Sequence, residues 1–166
     1  MYKRQAADDG ARITVLMGEL AGAASPAQTY TPLVGAEIEL EAGAQHELPL
    51  RRGFEYAALA LNGATAVDAV RLEPGPLLYL GTGRDRLQLR GDAGTPSVLL
   101  LIGGEPFEEQ LVMWWNFVGR SHDEIVQYRE DWMAGRGFGV VTGYDGEPLA
   151  APPMPGTPLM PRGRRR

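Results

Sequence analysis

Between Ala11 and Gly104 short runs of alternating apolar and polar residues turn back at roughly 8- to 12-residue intervals, and this rhythm constrains the fold more than any other feature of the chain. Ala36, Ile38 and Leu40 alternate with Glu37, Glu39 and Glu41, the pattern of a half-buried strand that turns acid toward water. Ile13 and Val15 flank Thr14 in the same way, Leu48 and Leu50 lie on one side of a later strand, and Leu87 and Leu89 face inward from the run 85–90. Tyr56 to Leu61 reads as a short buried strand, Asn62-Gly63 as a hairpin turn, and Val67 to Leu72 as the returning strand. The run SVLLLIGG, 97–104, is apolar on both faces and belongs in the middle of a sheet. No βαβ rhythm appears, so the fold class is all-β, a sandwich or barrel.

One helix follows. Ser121 with Glu124 three residues later is a capping box, in which hydroxyl and carboxylate each take a free backbone N–H. Asp123 and Glu124 also suit the positive end of the helix dipole. Ile125, Tyr128 or Arg129, and Trp132 recur at helical spacing, and Gly135 supplies a left-handed stop. Beyond it the segment APPMPGTPLMPRG carries five Pro and reads as an extended arm. The expected organisation is a leader without structure at 1–8, a barrel at 9–120, the helix and arm at 121–160 packing on the barrel, and a basic disordered tail at 161–166.

Composition narrows the function classes. With no Cys, disulfides, thiolate metal sites and Cys nucleophiles are excluded. The net charge is -5; of the 16 basic residues, Arg162, Arg164, Arg165 and Arg166 form a terminal tip, and the remaining 12 face 21 acidic residues. Such an acidic body is not a nucleic-acid-binding face. No apolar run approaches the ~20 residues needed to span a bilayer, and the first residues lack a secretory apolar core, so a cytoplasmic protein is expected, without a membrane partner.

The phrases EAGAQHELPL, LEPGPLLYLG and LLLIGGEPFEEQLVMWWNFVGRSHDEIVQYREDWMAGRGFG, with the closing GYDGEPLAAPPMPG, resemble the second barrel of the pirin family. Members of that family are iron-binding proteins built from two tandem cupin barrels. The resemblance spans about 9–162 and is most specific over 103–139. It implies a cupin, a double-stranded β-helix or jelly-roll barrel, with one C-terminal helix and an extended Pro-rich arm.

In the family the metal is held in the first barrel by three His and one Glu. Laying the general cupin pattern on this chain from Gly43 puts Pro49 and Arg51 at two His positions and Glu55 at the Glu position; counting on from Gly75 puts Leu78 at the last His. A non-haem iron site needs imidazoles and a carboxylate converging on the ion. Pro and Leu offer no ligand atom and Arg repels a cation, so the resemblance implies no cofactor here. Iron, and with it quercetin 2,3-dioxygenase-like activity, is expected only where the first barrel is present. The chain is then either a solitary second domain or a fragment.

Arg51, Glu55 and Leu78 could line the open end of a barrel, and Trp114, Trp115 and Asn116 could wall a small-molecule cavity. The blander alternatives are salt bridging around Arg51, Arg52 and Glu55, and core packing of the two Trp beneath the helix. His46 and His122 read as ordinary surface residues. Ser121-His122-Asp123 is no triad, since adjacent helix residues point different ways. Gly135 to Gly139 follows a helix instead of opening one, so it is no phosphate loop. The reading is a metal-free, non-catalytic barrel acting through protein contacts or a small ligand. In the family two barrels face each other, so an exposed apolar face that takes a homodimer partner or a partner barrel is expected. The rivals are a small iron-dependent cupin dioxygenase using Glu55 and His46, and a transcriptional cofactor.

Overall fold

The computed structural model describes residues 4–8 and 10–161. In chain order the strands are β1 (Arg4–Asp8), β2 (Ala11–Met17), β3 (Glu19–Leu20), β4 (Ala23–Ala24), β5 (Leu33–Leu40), β6 (Gln45–Pro49) and β7 (Glu55–Asn62). Then come β8 (Thr65–Val67), β9 (Val70–Leu72), β10 (Leu77–Gly81), β11 (Arg86–Gly91), β12 (Ser97–Gly104), β13 (Val112–Trp114) and β14 (Phe117–Gly119), followed by α1 (His122–Met133). Contacts divide the chain into two units, Met1–Pro106 and Phe107–Arg166.

The first unit is a two-sheet jelly roll. One sheet has six strands in the order β1-β2-β5-β12-β7-β10, the other four in the order β6-β11-β8-β9. Inward positions alternate along every long strand, as a period-2 pattern requires. Ile13, Ile38, Tyr56, Leu99 and Leu101 from the first sheet meet Leu48, Val67, Leu72, Leu87 and Leu89 from the second in one buried cluster. SVLLLIGG is central, paired on both sides with β5 and β7.

In the first unit three expectations about its strands change. Arg4–Asp8, read as part of a leader, is a strand paired antiparallel to β2 from Arg4↔Val15 to Asp8↔Ala11. RQAAD shows no apolar alternation, so its backbone pairing was invisible to pattern. Asn62-Gly63 does not close a hairpin: β7 lies in the six-stranded sheet and β8 in the four-stranded one, so the dipeptide is the corner between sheets. Gly63 holds φ +67, and a Cβ there would sit 2.7 Å from the Pro96 carbonyl oxygen, so the corner needs Gly. The strand expected over 67–72 is broken, and β8 turns back into β9 through Asp68-Ala69, with Asp68 at φ 51.

In the second unit, the sequence 107–120 that reads as barrel forms the β13–β14 hairpin, which packs on α1. Val112, Phe117, Ile125 and Ala151 form the buried centre, with Trp114, Trp115, Tyr128 and Trp132 against it. The Ser121 hydroxyl caps α1 by accepting from the Glu124 N–H at 3.2 Å. The Glu124 carboxylate takes the Arg120 N–H at 2.7 Å, one residue before the expected partner. Gly135 at φ 67 ends the helix and donates to the Trp132 carbonyl. The expected basic tail at 161–166 lies, after Pro161, outside the described residues. Among the described residues no helix is long and apolar enough to cross a membrane.

Candidate functional site

The four positions that the cupin pattern reserves for metal ligands are built for something else. Pro49 ends β6 opposite Arg86 and is exposed. The Arg51 side chain leaves the barrel: it lies 5.4 Å over the Phe54 ring and reaches the Glu19 carboxylate at 3.3 Å. Leu78 is half-buried and packs on the core with Leu80. Glu55 shares its side of β7 with Ala57, opposite the core residues Tyr56, Ala58 and Ala60, so its carboxylate stands on the outer surface of the six-stranded sheet. There it accepts a 2.8 Å hydrogen bond from the Tyr79 hydroxyl.

Aromatic rings fill the space behind these positions. Tyr56 and Phe54 are buried with ring centroids 6.1 Å apart. The Tyr56 ring lies over Gly103, where a Cβ would fall 2.5 Å from its Cδ1. Its hydroxyl accepts the Arg51 backbone N–H at 2.9 Å. Burial pushes the Tyr56 phenol up from its ordinary pKa, with that hydrogen bond and the Arg51 charge pulling the other way. The group is therefore a neutral hydroxyl in a packed wall. Among the described residues no three of His, Asp and Glu converge on a point. At the four cupin-pattern positions, Pro49, Arg51 and Leu78 with an outward Glu55 do not fit an iron ion.

His46 departs from the surface reading. It faces inward on β6 beside Leu48, is half-buried, and its Nε2 is fully buried without a hydrogen-bond partner among the described residues. Glu55 is on the outside of the other sheet, so the two do not share a site. His122 is also half-buried; its Nδ1 accepts the Leu159 N–H at 3.1 Å and ties the Pro-rich arm to α1. Trp132 Nε1 donates to the Leu149 carbonyl at 2.7 Å and Arg129 Nε to that of Pro152 at 2.6 Å, along the same arm.

Trp114 and Trp115 belong to the second unit's core, and Asn116 is exposed beside them in the hairpin turn. Trp115 adopts φ 51, an uncommon conformation for a bulky residue. Edge-to-face contacts to Phe117 at 5.3 Å and Trp132 at 5.6 Å hold it there.

Pattern reading did not single out the outer face of β12, β7 and β10. The register aligns Leu100, Leu59 and Leu77 in one row and Ile102, Ala57 and Tyr79 in the next. Leu77, Tyr79 and Ile102 are exposed. On the same side of β2 and β5, Arg12 and Thr14 pair with Glu39 and Glu37, Arg12 being bonded to Glu39, and Met17 pairs with Gly35 in the row of Ile102. In the row of Leu100 the face changes from polar to apolar at β12, whereas the row of Ile102 carries no charge from Met17 to Tyr79. The available signal was the unbroken apolar run of β12, which marks a strand covered on both sides.

Residues 35–139 match the family model described as the pirin C-terminal cupin domain. A putative quercetin 2,3-dioxygenase of Pseudomonas aeruginosa is 40% identical over 149 residues, covering 89% of this chain and 47% of that protein. Human pirin is 31% identical over 123 residues, covering 72% and 42%. A crystal structure of quercetin 2,3-dioxygenase from Acinetobacter baumannii superposes with a TM-score of 0.85 at 34% identity, covering 94% of this chain and 52% of that one. The chain spans about half the length of the curated relatives it matches.

Proposed function

Since the chain belongs to the pirin C-terminal cupin family, we propose that it is a metal-free, non-catalytic barrel that acts by holding a second barrel against the outer face of its six-stranded sheet. The observation that carries this is the pair of apolar rows, Leu100-Leu59-Leu77 and Ile102-Ala57-Tyr79. The solvated side of an antiparallel sheet is normally polar, and the Arg12, Glu37 and Glu39 region obeys that rule. A contiguous apolar surface beside a polar rim marks an interface. The matching occupant is another sheet, which can lay its own apolar face on this one about 10 Å away.

Pro49, Arg51 and Leu78 at ligand positions, with Glu55 turned outward, support the metal-free part of the reading. This chain's contribution is to dock and support.

Light scattering across a concentration series, alone and with the unmatched part of the Pseudomonas relative as a separate chain, tests the proposal. The expected result is a complex of two barrels that is lost in Leu77→Lys/Ile102→Lys. A strict monomer in both settings, or a complex indifferent to those two lysines, overturns it.

A further inference from the structure

The outer side of the four-stranded sheet carries a pocket of about 430 Å³. Its floor is short: Ala66 on β8, with Gly43 and Gly91 beside it. Its walls are long. The register sets Arg90 of β11 and Arg71 of β9 on either side of Ala66, one strand away in each direction. At ~4.8 Å per strand their backbones stand about 10 Å apart, wide enough for a planar organic molecule.

The charges around this floor are unequal in what they still need. Arg71 is bonded to Glu73 at 2.7 Å and Asp92 at 3.0 Å. Asp92 also accepts the Ala93 N–H. Asp68 accepts from the Arg84 guanidinium and from the Gln88 N–H. Arg90 has no such partner among the described residues. Among the residues at 10–161 every other arginine makes a side-chain hydrogen bond or ion pair, and Arg90 makes none. Its guanidinium presents five donors in a planar fork, and the group that satisfies such a fork is an oxyanion.

We propose that this pocket binds a small organic carboxylate, its two oxygens on the Arg90 fork and its body on the Ala66 floor. The volume falls in the range of small-molecule sites and greatly exceeds that of a bare inorganic anion. Asp68 and Asp92 at the margin repel a dianion more than a monoanion, which favours carboxylate over phosphate. The surrounding chain is acidic, so the positive charge is local and offers nothing to a polyanion. The site lies on the opposite sheet from the apolar rows and stands whether or not those rows dock a partner.

The test is a titration of the isotope-labelled full chain with benzoate, followed by amide chemical shifts, with inorganic phosphate as the comparison. The expected result is saturable shifts confined to the amides around Ala66, Arg90 and Gly91. Arg90→Gln should weaken binding by about tenfold or more, the size of one lost charge-assisted pair. Ala66→Leu should block it by filling the floor while leaving Arg90 in place. Leu77→Lys/Ile102→Lys should leave benzoate affinity unchanged, which separates this site from the docking face. Non-saturating shifts, equal affinity in Arg90→Gln, or phosphate binding in preference to benzoate overturns the proposal.

Discussion

The Tyr79 hydroxyl donates to the Glu55 carboxylate at 2.8 Å across the outer surface of the six-stranded sheet. The bond lies on the side of β7 where strand alternation places Glu55, the ligand-type residue at its cupin-pattern position. Tyr56, its neighbour, points inward and is 2% exposed. On a strand, one residue separates inside from outside. Glu55 therefore keeps its place in the cupin spacing while presenting its oxygens to the wrong side of the sheet.

Iron uptake tests this placement. Purified chain incubated with ferrous iron and desalted is expected to retain far less than one ion per chain, measured by mass spectrometry. Glu55→Gln should leave the residual amount unchanged. One tightly held iron per chain would require a converging ligand set that the geometry of Pro49, Arg51, Glu55 and Leu78 does not supply.

Tyr56 and Gly103 make a second test. A Cβ on Gly103 would lie 2.5 Å from the Tyr56 ring and 2.7 Å from the Glu55 carbonyl oxygen, so neither ring nor backbone can remain where it is. Gly103→Ala should cost about 2 kcal/mol in denaturant unfolding, the scale of overpacking in a tight core. Combining it with Tyr56→Leu should cost less than the two changes added, because the smaller side chain frees part of the space.

Thr65 and Ser97 are a buried polar pair between the two sheets, with the Thr65 hydroxyl donating to Ser97 Oγ at 2.8 Å. Thr65→Val keeps the shape and leaves the Ser97 hydroxyl without its donor, at a cost of about 1–3 kcal/mol. Adding Ser97→Ala removes the orphan, so the double variant should be less destabilised than the sum of the singles by about 1 kcal/mol. Simple additivity would mean that the hydroxyls do not depend on each other.

Much of this fold was legible because burial writes a period of two into a strand. Ile13, Ile38, Leu87 and Leu89 fall inward as their alternation requires, and the Ser121 cap and Gly135 stop bound the helix as local chemistry dictates. What pattern does not carry is which sheet a strand joins. Asn62-Gly63 has the chemistry of a hairpin and serves as a corner because Pro96 and Ser97 crowd it. The candidate site was less legible for the same reason. Motif spacing counts residues, whereas Glu55 and His46 are decided by the face they occupy, and the apolar rows emerge only when β12, β7 and β10 are in register.

Acid stability follows from the ion pairs on the barrel surface. The Asp85 carboxyl is held below its ordinary value of 3.8 by its bond to Arg52, and Asp92 by its bond to Arg71. A depressed carboxylate pKa means that the unfolded chain binds protons more readily, so these pairs stabilise above about pH 4 and lose their effect as pH falls below it. Thermal melts should decline through that window, and less steeply in Arg52→Gln/Arg71→Gln. Both pairs are exposed, so added salt should shrink the difference between the proteins. A decline equally steep in the double variant would assign acid sensitivity to other groups.

The Pro-rich arm gives the last test. Extended chain containing five Pro forms few backbone bonds of its own, so what holds it is side chains from α1: Trp132 to Leu149, Arg129 to Pro152, and His122 to Leu159. Ala151 is buried at the centre of the second unit's core, so the arm also completes that core. Trp132→Phe keeps an aromatic ring against Trp115 and Phe138 but removes the donor to Leu149. The loss of one such bond should cost about 1 kcal/mol and speed limited proteolysis within 149–161. Arg129→Met should do the same at Pro152, and the two together should release the arm further than either alone. Cleavage rates unchanged in all three variants would mean that burial of Ala151, rather than these donors, anchors the arm.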